Sequence, residues 1–161
     1  MIVSPSTFPV FNQAWKDYQA LLIKAIAPLS ADQLALRAAP NLRSIGEIVL
    51  HMIRVRGSWF FIDMHEGGEA MAEFGNWELP GMPTRSAAEL VNGLEATWQL
   101  MQEVLERWTP AEWDQILVGT PDEPETFSRS WVIWHLIEHD LHHGGEASLT
   151  LGMYGLEAPA L

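Results

Sequence analysis

Three histidines stand four residues apart in the last third of the chain: His135, His139 and His143. On a helix that spacing stacks side chains along one face. Two imidazoles one turn apart match the way one helix holds a single divalent ion. Such an ion sits about 2.0–2.1 Å from each nitrogen and needs at least one further ligand from another element. The chain has no cysteine. Disulfides, thiolate nucleophiles and cysteine-ligated zinc are thereby excluded, and any metal rests on nitrogen and oxygen.

The histidines divide by the face they occupy. Turned at about 100° per residue, the segment gathers Val132, Ile133, Leu136, Ala147 and Leu151 into one apolar arc. His139 and His143 fall at the edge of that arc and are expected to face inward. His135 and His142 fall further round, toward Glu138, and are expected to be half solvated. On an earlier helical segment His51 lies beside Ile48, Met52 and Val55, on its apolar side. His65 is too far along to join it, about 21 Å at the helical rise. The expected ligand set is therefore His51, His139 and His143. Three protein nitrogens with a fourth position open is the arrangement of catalytic zinc rather than of closed structural sites.

The competing reading is a core without metal. A histidine on an apolar face is more often a hydrogen-bonded interior residue than a ligand, and Glu47 or another carboxylate would be its acceptor. Asp140 falls inside the apolar arc, where it either orients a ligating imidazole or pairs with an arginine from another helix. Glu47 and Asp140 are also the candidate proton acceptors. Glu146 is expected to be solvated, and Arg54 and Arg56 to be surface cations. Trp98, Trp131 and Trp134 are read as core, and Trp59, two turns past His51, as core or as a wall of the site.

Four long helices carry these residues. The first runs from about Thr7 to Ala27, ahead of Pro28, and Ser30 with Gln33 then caps a short turn. The second opens on a capping box of Ser44 and Glu47 and continues to about Glu66, where Gly67-Gly68 ends it. The third starts at Thr84 or Ser86 and carries Leu90, Leu94, Trp98, Met101 and Leu105. Thr109-Pro110 opens another short piece. The fourth runs from Ser128 or Ser130 to about Leu151. The glycine- and proline-rich stretch between helices two and three is long enough to cross the bundle, so those two helices are expected to run parallel. No segment alternates as a strand does. The architecture expected is a single all-α domain over residues 1–161, a four-helix bundle.

Charge narrows the partners. Nine basic against 21 acidic residues give a formal charge of −12, a field that repels phosphate backbones and argues against nucleic acid. No run of 18 uncharged apolar residues exists to span a membrane. The first residues lack the basic start and apolar run of a signal peptide, so a cytoplasmic protein is expected.

The stretch His135-Leu-Ile-Glu-His139-Asp-Leu-His-His143-Gly-Gly-Glu146, together with Ser44-Ile-Gly-Glu47 followed by His51, resembles the DinB-like and YfiT-like metalloenzyme family (the DinB superfamily) over most of the chain. The resemblance implies an up-down-down-up bundle and a divalent ion, commonly zinc or nickel, on His51, His139 and His143. It also implies a homodimer. In such relatives the ion activates a small thiol, such as bacillithiol or mycothiol, or serves a hydrolase. This chain departs from the pattern after its last ligand, where relatives commonly carry Arg-Gly-Gln and it has Gly144-Gly145-Glu146. Two glycines in a helix cost about 1 kcal/mol each relative to alanine, which points to close packing there, and the missing arginine argues against an anionic substrate at that position. The functions expected are a metal-dependent hydrolase or thiol-dependent transferase acting on a small molecule, or else a non-enzymatic, stress-associated metal-binding bundle.

Overall fold

The computed structural model describes residues 7–118 and 126–159. The sequence Asp122-Glu123-Pro124-Glu125 reads as a solvated acidic loop, and it lies outside the described residues. Four long helices form the body: α1 (Phe8–Ile26), α3 (Ile45–Ser58), α5 (Ala87–Leu105) and α7 (Arg129–Met153). Short helices α2 (Ala31–Leu34), α4 (Gly68–Gly75) and α6 (Pro110–Trp113) occupy the connections. The starts follow from capping chemistry. Ser30 with Gln33, Ser44 with Glu47 and Ser86 with Glu89 each close a reciprocal capping box, which satisfies two backbone donors that a helix start leaves bare. Ser128 accepts from the Trp131 amide at the head of α7.

Side-chain pairings give the directions. Asn12 bonds Gln102 while Trp15 packs edge-on to Trp98, so α1 opposes α5. His51 meets His143 while Trp59 meets His135, so α3 opposes α7. Trp15 bonds Asp140 and Tyr18 abuts Gly144, so α1 and α7 run together. The order is up-down-down-up, with α3 and α5 parallel as the long crossover requires.

Three details depart from expectation. The second helix is not one α-helix to Glu66: it turns into a π-helical segment at Trp59–Asp63, closed by Met64 N to Trp59 O at 3.0 Å. A glycine contact accompanies the break, since a Cβ on Gly57 would run into the Gly75 backbone of α4. The crossover, read as loop, contains α4. Finally, β1 (Ile116–Leu117) and β2 (Phe127–Ser128) pair antiparallel ahead of α7. Two residues are too few to show alternation.

The interior has two apolar clusters. One gathers Leu22, Ile26, Ile45, Val49, Met52, Leu90, Leu94 and Leu151; the other gathers Trp15, Phe60, Met101, Val132 and Leu136. Between them lies a buried polar layer of Gln19, Arg56, Thr97 and Asp140. The histidines sit at the level of this layer, on the seam between α3 and α7.

Candidate metal centre

Each histidine is positioned by its helix. His51 comes from the middle of α3, and His139 and His143 come from successive turns of α7. One nitrogen from each lies within 4.8 Å of the other two. The His51 and His139 Nε2 atoms are 3.3 Å apart. Two nitrogens bound to one tetrahedral ion at about 2.0–2.1 Å stand about 3.3 Å from each other.

Carboxylates hold the outer nitrogens of two rings. His51 Nδ1 donates to Glu78 Oε2 at 2.9 Å, and His143 Nδ1 donates to Glu146 Oε2 at 2.7 Å. With the proton on Nδ1, both rings keep a lone pair on Nε2. This is the carboxylate–histidine pairing that fixes the tautomer of metal ligands. His139 differs: its Nδ1 is buried without a partner. If its Nε2 donates to His51, a lone pair is left buried on Nδ1 with no donor. If Nδ1 carries the proton, two lone pairs face each other across 3.3 Å. A divalent cation between the nitrogens turns that repulsion into two bonds. The residues therefore fit such an ion.

Electrostatics agree. His139 is pushed down to about 3, first by burial and then by the charges His143 and His51 would carry. His143 is lowered too, by burial, although Glu146 pulls the other way. Neutral imidazole is the form that binds metal.

Behind the triad, Asp140 Oδ2 accepts from Arg56 Nη2 at 2.5 Å and from Trp15 Nε1 at 2.7 Å. Arg56 Nη1 also reaches Gln19 Oε1 at 2.7 Å. Arg56 and Asp140 are each 1% exposed. The expectation that Arg56 is a surface cation is thus corrected. Its partner lies 84 residues away, beyond any local pattern. For Asp140, pairing with an arginine is what the structure shows. Glu47 is no base: both oxygens are held by Arg37, whose guanidinium lowers the carboxyl below its usual range.

Other expectations divide. His142 is exposed and His135 partly so, as read. Glu146 is half-exposed, yet it bonds His143 rather than standing free in solvent. Trp98 is buried, but Trp131 and Trp134 are 38% and 55% exposed. Trp131 stacks along the outside of α7 between Phe127 and His135 instead of entering the core. Trp59 packs against the second apolar cluster and meets the His135 ring edge-on at 5.4 Å, one residue removed from the triad. Glu78 was not foreseen. It follows α4 in an irregular stretch, Asn76-Trp-Glu-Leu-Pro80, and no spacing links it to His51.

The model of the DinB superfamily matches residues 12–147. The chain belongs to that superfamily. Among solved structures it is similar to a DinB-like protein from Bacillus cereus ATCC 10987, with 21% identity, 94% of this chain and 95% of that one covered, and a TM-score of 0.68. It is also similar to YfiT from Bacillus subtilis, with 14% identity, 96% and 91% covered, and a TM-score of 0.77. YfiT is described as a probable metal-dependent hydrolase with an unusual four-helix bundle topology. The DinB-like YjoA of Bacillus subtilis matches with 15% identity over 94% and 96% of the two chains, at a TM-score of 0.65. No curated protein matches the chain. Among the described residues no helix is long and apolar enough to cross a membrane.

Proposed function

We propose that this DinB-superfamily chain is a metal-dependent enzyme, a single domain over residues 1–161, in which His51, His139 and His143 hold one zinc or nickel ion for the hydrolysis or thiol-dependent transfer of a small molecule. Held by three imidazoles with a position open, such an ion lowers the pKa of a water or thiol bound there and so supplies a nucleophile at neutral pH. Glu78 and Glu146 keep the Nε2 lone pairs of His51 and His143 turned inward. Burial keeps His139 neutral. Trp59 and Trp131 both pack against His135, whose ring is 6.0 Å from that of His139. With no cysteine in the chain, any thiol enters as a cosubstrate. The same reading places the protein in the cytoplasm as a homodimer, with neither nucleic acid nor membrane as a partner.

The observation that carries the reading is the 3.3 Å separation of the His51 and His139 Nε2 atoms. Support for an open position comes from the donor group itself, which numbers three nitrogens. The likeness to YfiT supports a hydrolase. The test is metal analysis of untagged protein against His139→Ala. Wild type is expected to hold one ion per chain, and the variant to hold none and to melt lower in excess metal. Equal metal content in the two proteins would refute the site.

A further inference from the structure

The charges around the triad restrict what can approach it. Glu78 and Glu146 contact two of the three imidazoles directly. Side chains of glutamate are anionic at neutral pH. Two carboxylates one ring-width from a divalent ion leave its pull on a directly bound donor atom in place but offset its charge at longer range, so the surroundings offer no positive field to an anionic group carried elsewhere on the ligand. A third carboxylate, Glu138, bonds His135 Nδ1 at 3.2 Å, and the His135 ring is 6.0 Å from that of His139. All three glutamates are partly or mostly exposed, on the solvent side of the site.

The cation nearest the interior is unavailable. Arg56 is sealed at 1% exposure and committed to Asp140, Gln19 and Thr97. After His143 the chain carries Gly144 and Gly145, which offer no charge. The neighbours on the far side of His135 are aromatic and uncharged. Trp59 stands edge-on to His135, and Trp131 lies flat against it with centroids 5.0 Å apart.

We propose that the open position of this centre selects uncharged or cationic small molecules and rejects anionic ones, with Glu78, Glu146 and Glu138 setting that preference. The proposal rests on the triad holding a metal. It assigns a substrate whose reacting group is attached to a neutral or amine-bearing body, not to a carboxylate, sulfonate or phosphate.

The test uses the full chain loaded with cobalt(II), whose visible absorption reports ligand exchange. Cysteamine, 2-mercaptoethanol and 2-mercaptoethanesulfonate share one two-carbon arm and differ at its far end. Each is titrated at pH 7.5, and each affinity is normalised to that thiol's affinity for hydrated cobalt(II) in the same buffer. Cysteamine is expected to bind about tenfold more tightly than the sulfonate at low ionic strength, the gap closing in about 0.5 M salt as screening requires. Glu138→Gln, a surface change that touches no ligand, is expected to narrow the gap. Equal normalised affinities for the three thiols in protein that has taken up cobalt overturn this proposal alone. So does a preference for the sulfonate, and loss of that preference in Arg54→Gln would assign an anionic substrate to Arg54, one turn past His51. Protein that takes up no cobalt overturns the metal reading together with this one.

Discussion

Arg56 and Asp140 meet across the seam of α3 and α7, both fully buried, and Asp140 is the residue immediately after His139. Because Trp15 also donates to the same carboxylate oxygen, three helices converge on one atom. Removing one partner leaves the other as an uncompensated buried charge. Asp140→Ala and Arg56→Met are each expected to destabilise the protein by about 3–5 kcal/mol in urea unfolding. The double change Arg56→Met with Asp140→Leu is expected to cost much less than the sum, since no charge is then stranded. Single-variant losses under about 1 kcal/mol would show that the layer is hydrated rather than dry.

The two glycines after His143 make opposite predictions. A Cβ at Gly144 would collide with the Tyr18 hydroxyl, whereas nothing stands within 4 Å of one at Gly145. Gly144→Ala forces α1 and α7 apart and is expected to cost about 1–3 kcal/mol, as overpacking does. Combining it with Tyr18→Phe is expected to restore part of the loss. Gly145→Ala, exposed on the same helix, is expected to gain about 0.5–1 kcal/mol from helix propensity. Thermal unfolding of the two single variants decides the matter. Shifts of the same sign would rule out the close approach.

Much of this architecture is legible in the sequence, because it is written in local chemistry. The capping serines at 30, 44 and 86 mark helix starts without reference to the rest of the chain. The four-residue histidine spacing survives folding because α7 is regular through it. What stays hidden depends on distant partners. Arg56 reads as a surface residue until a carboxylate 84 positions away neutralises it. Glu78 reads as loop until the crossover lays it against His51. Trp131 reads as core because size suggests burial, while stacking on Phe127 and His135 keeps it on the outer flank. The π-helical segment depends on α4 pressing against Gly57, which is also a tertiary event.

The protonation of His139 sets a pH window. Its ordinary value is 6.5 and the folded protein pushes it down to about 3, burial being the main cause. The unfolded chain therefore takes up a proton that the folded chain refuses as pH falls between those values. Stability of the metal-free protein rises with pH across that window. It is fully present above about pH 6.5 and is lost progressively as pH falls toward 3. His143 is shifted the same way and adds to the slope. Urea midpoints of metal-free wild type at several pH values are expected to fall more steeply below pH 6.5 than those of His139→Gln. Parallel curves would mean that the ring is solvated.

The last prediction separates ligands from the groups that orient them. Glu78 meets the outer nitrogen of His51, and Glu146 meets that of His143 and also the exposed His142, so removing either carboxylate leaves three imidazoles in place. What is lost is the fixed tautomer and the added basicity of one ring. Such changes weaken metal binding by about 10–100-fold. Glu78→Ala and Glu146→Ala are each expected to fall in that range by competitive chelator titration, with the stoichiometry of one ion per chain retained. His139→Ala is expected to lose the ion altogether. Glu47→Ala serves as the control, because its carboxylate is spent on Ser44 and Arg37. It is expected to lower stability through the lost cap by about 1 kcal/mol while leaving metal affinity unchanged. If Glu78→Ala left affinity at the wild-type level, the hydrogen bond to His51 would be incidental, and that ring would be held by the packing of α3 alone.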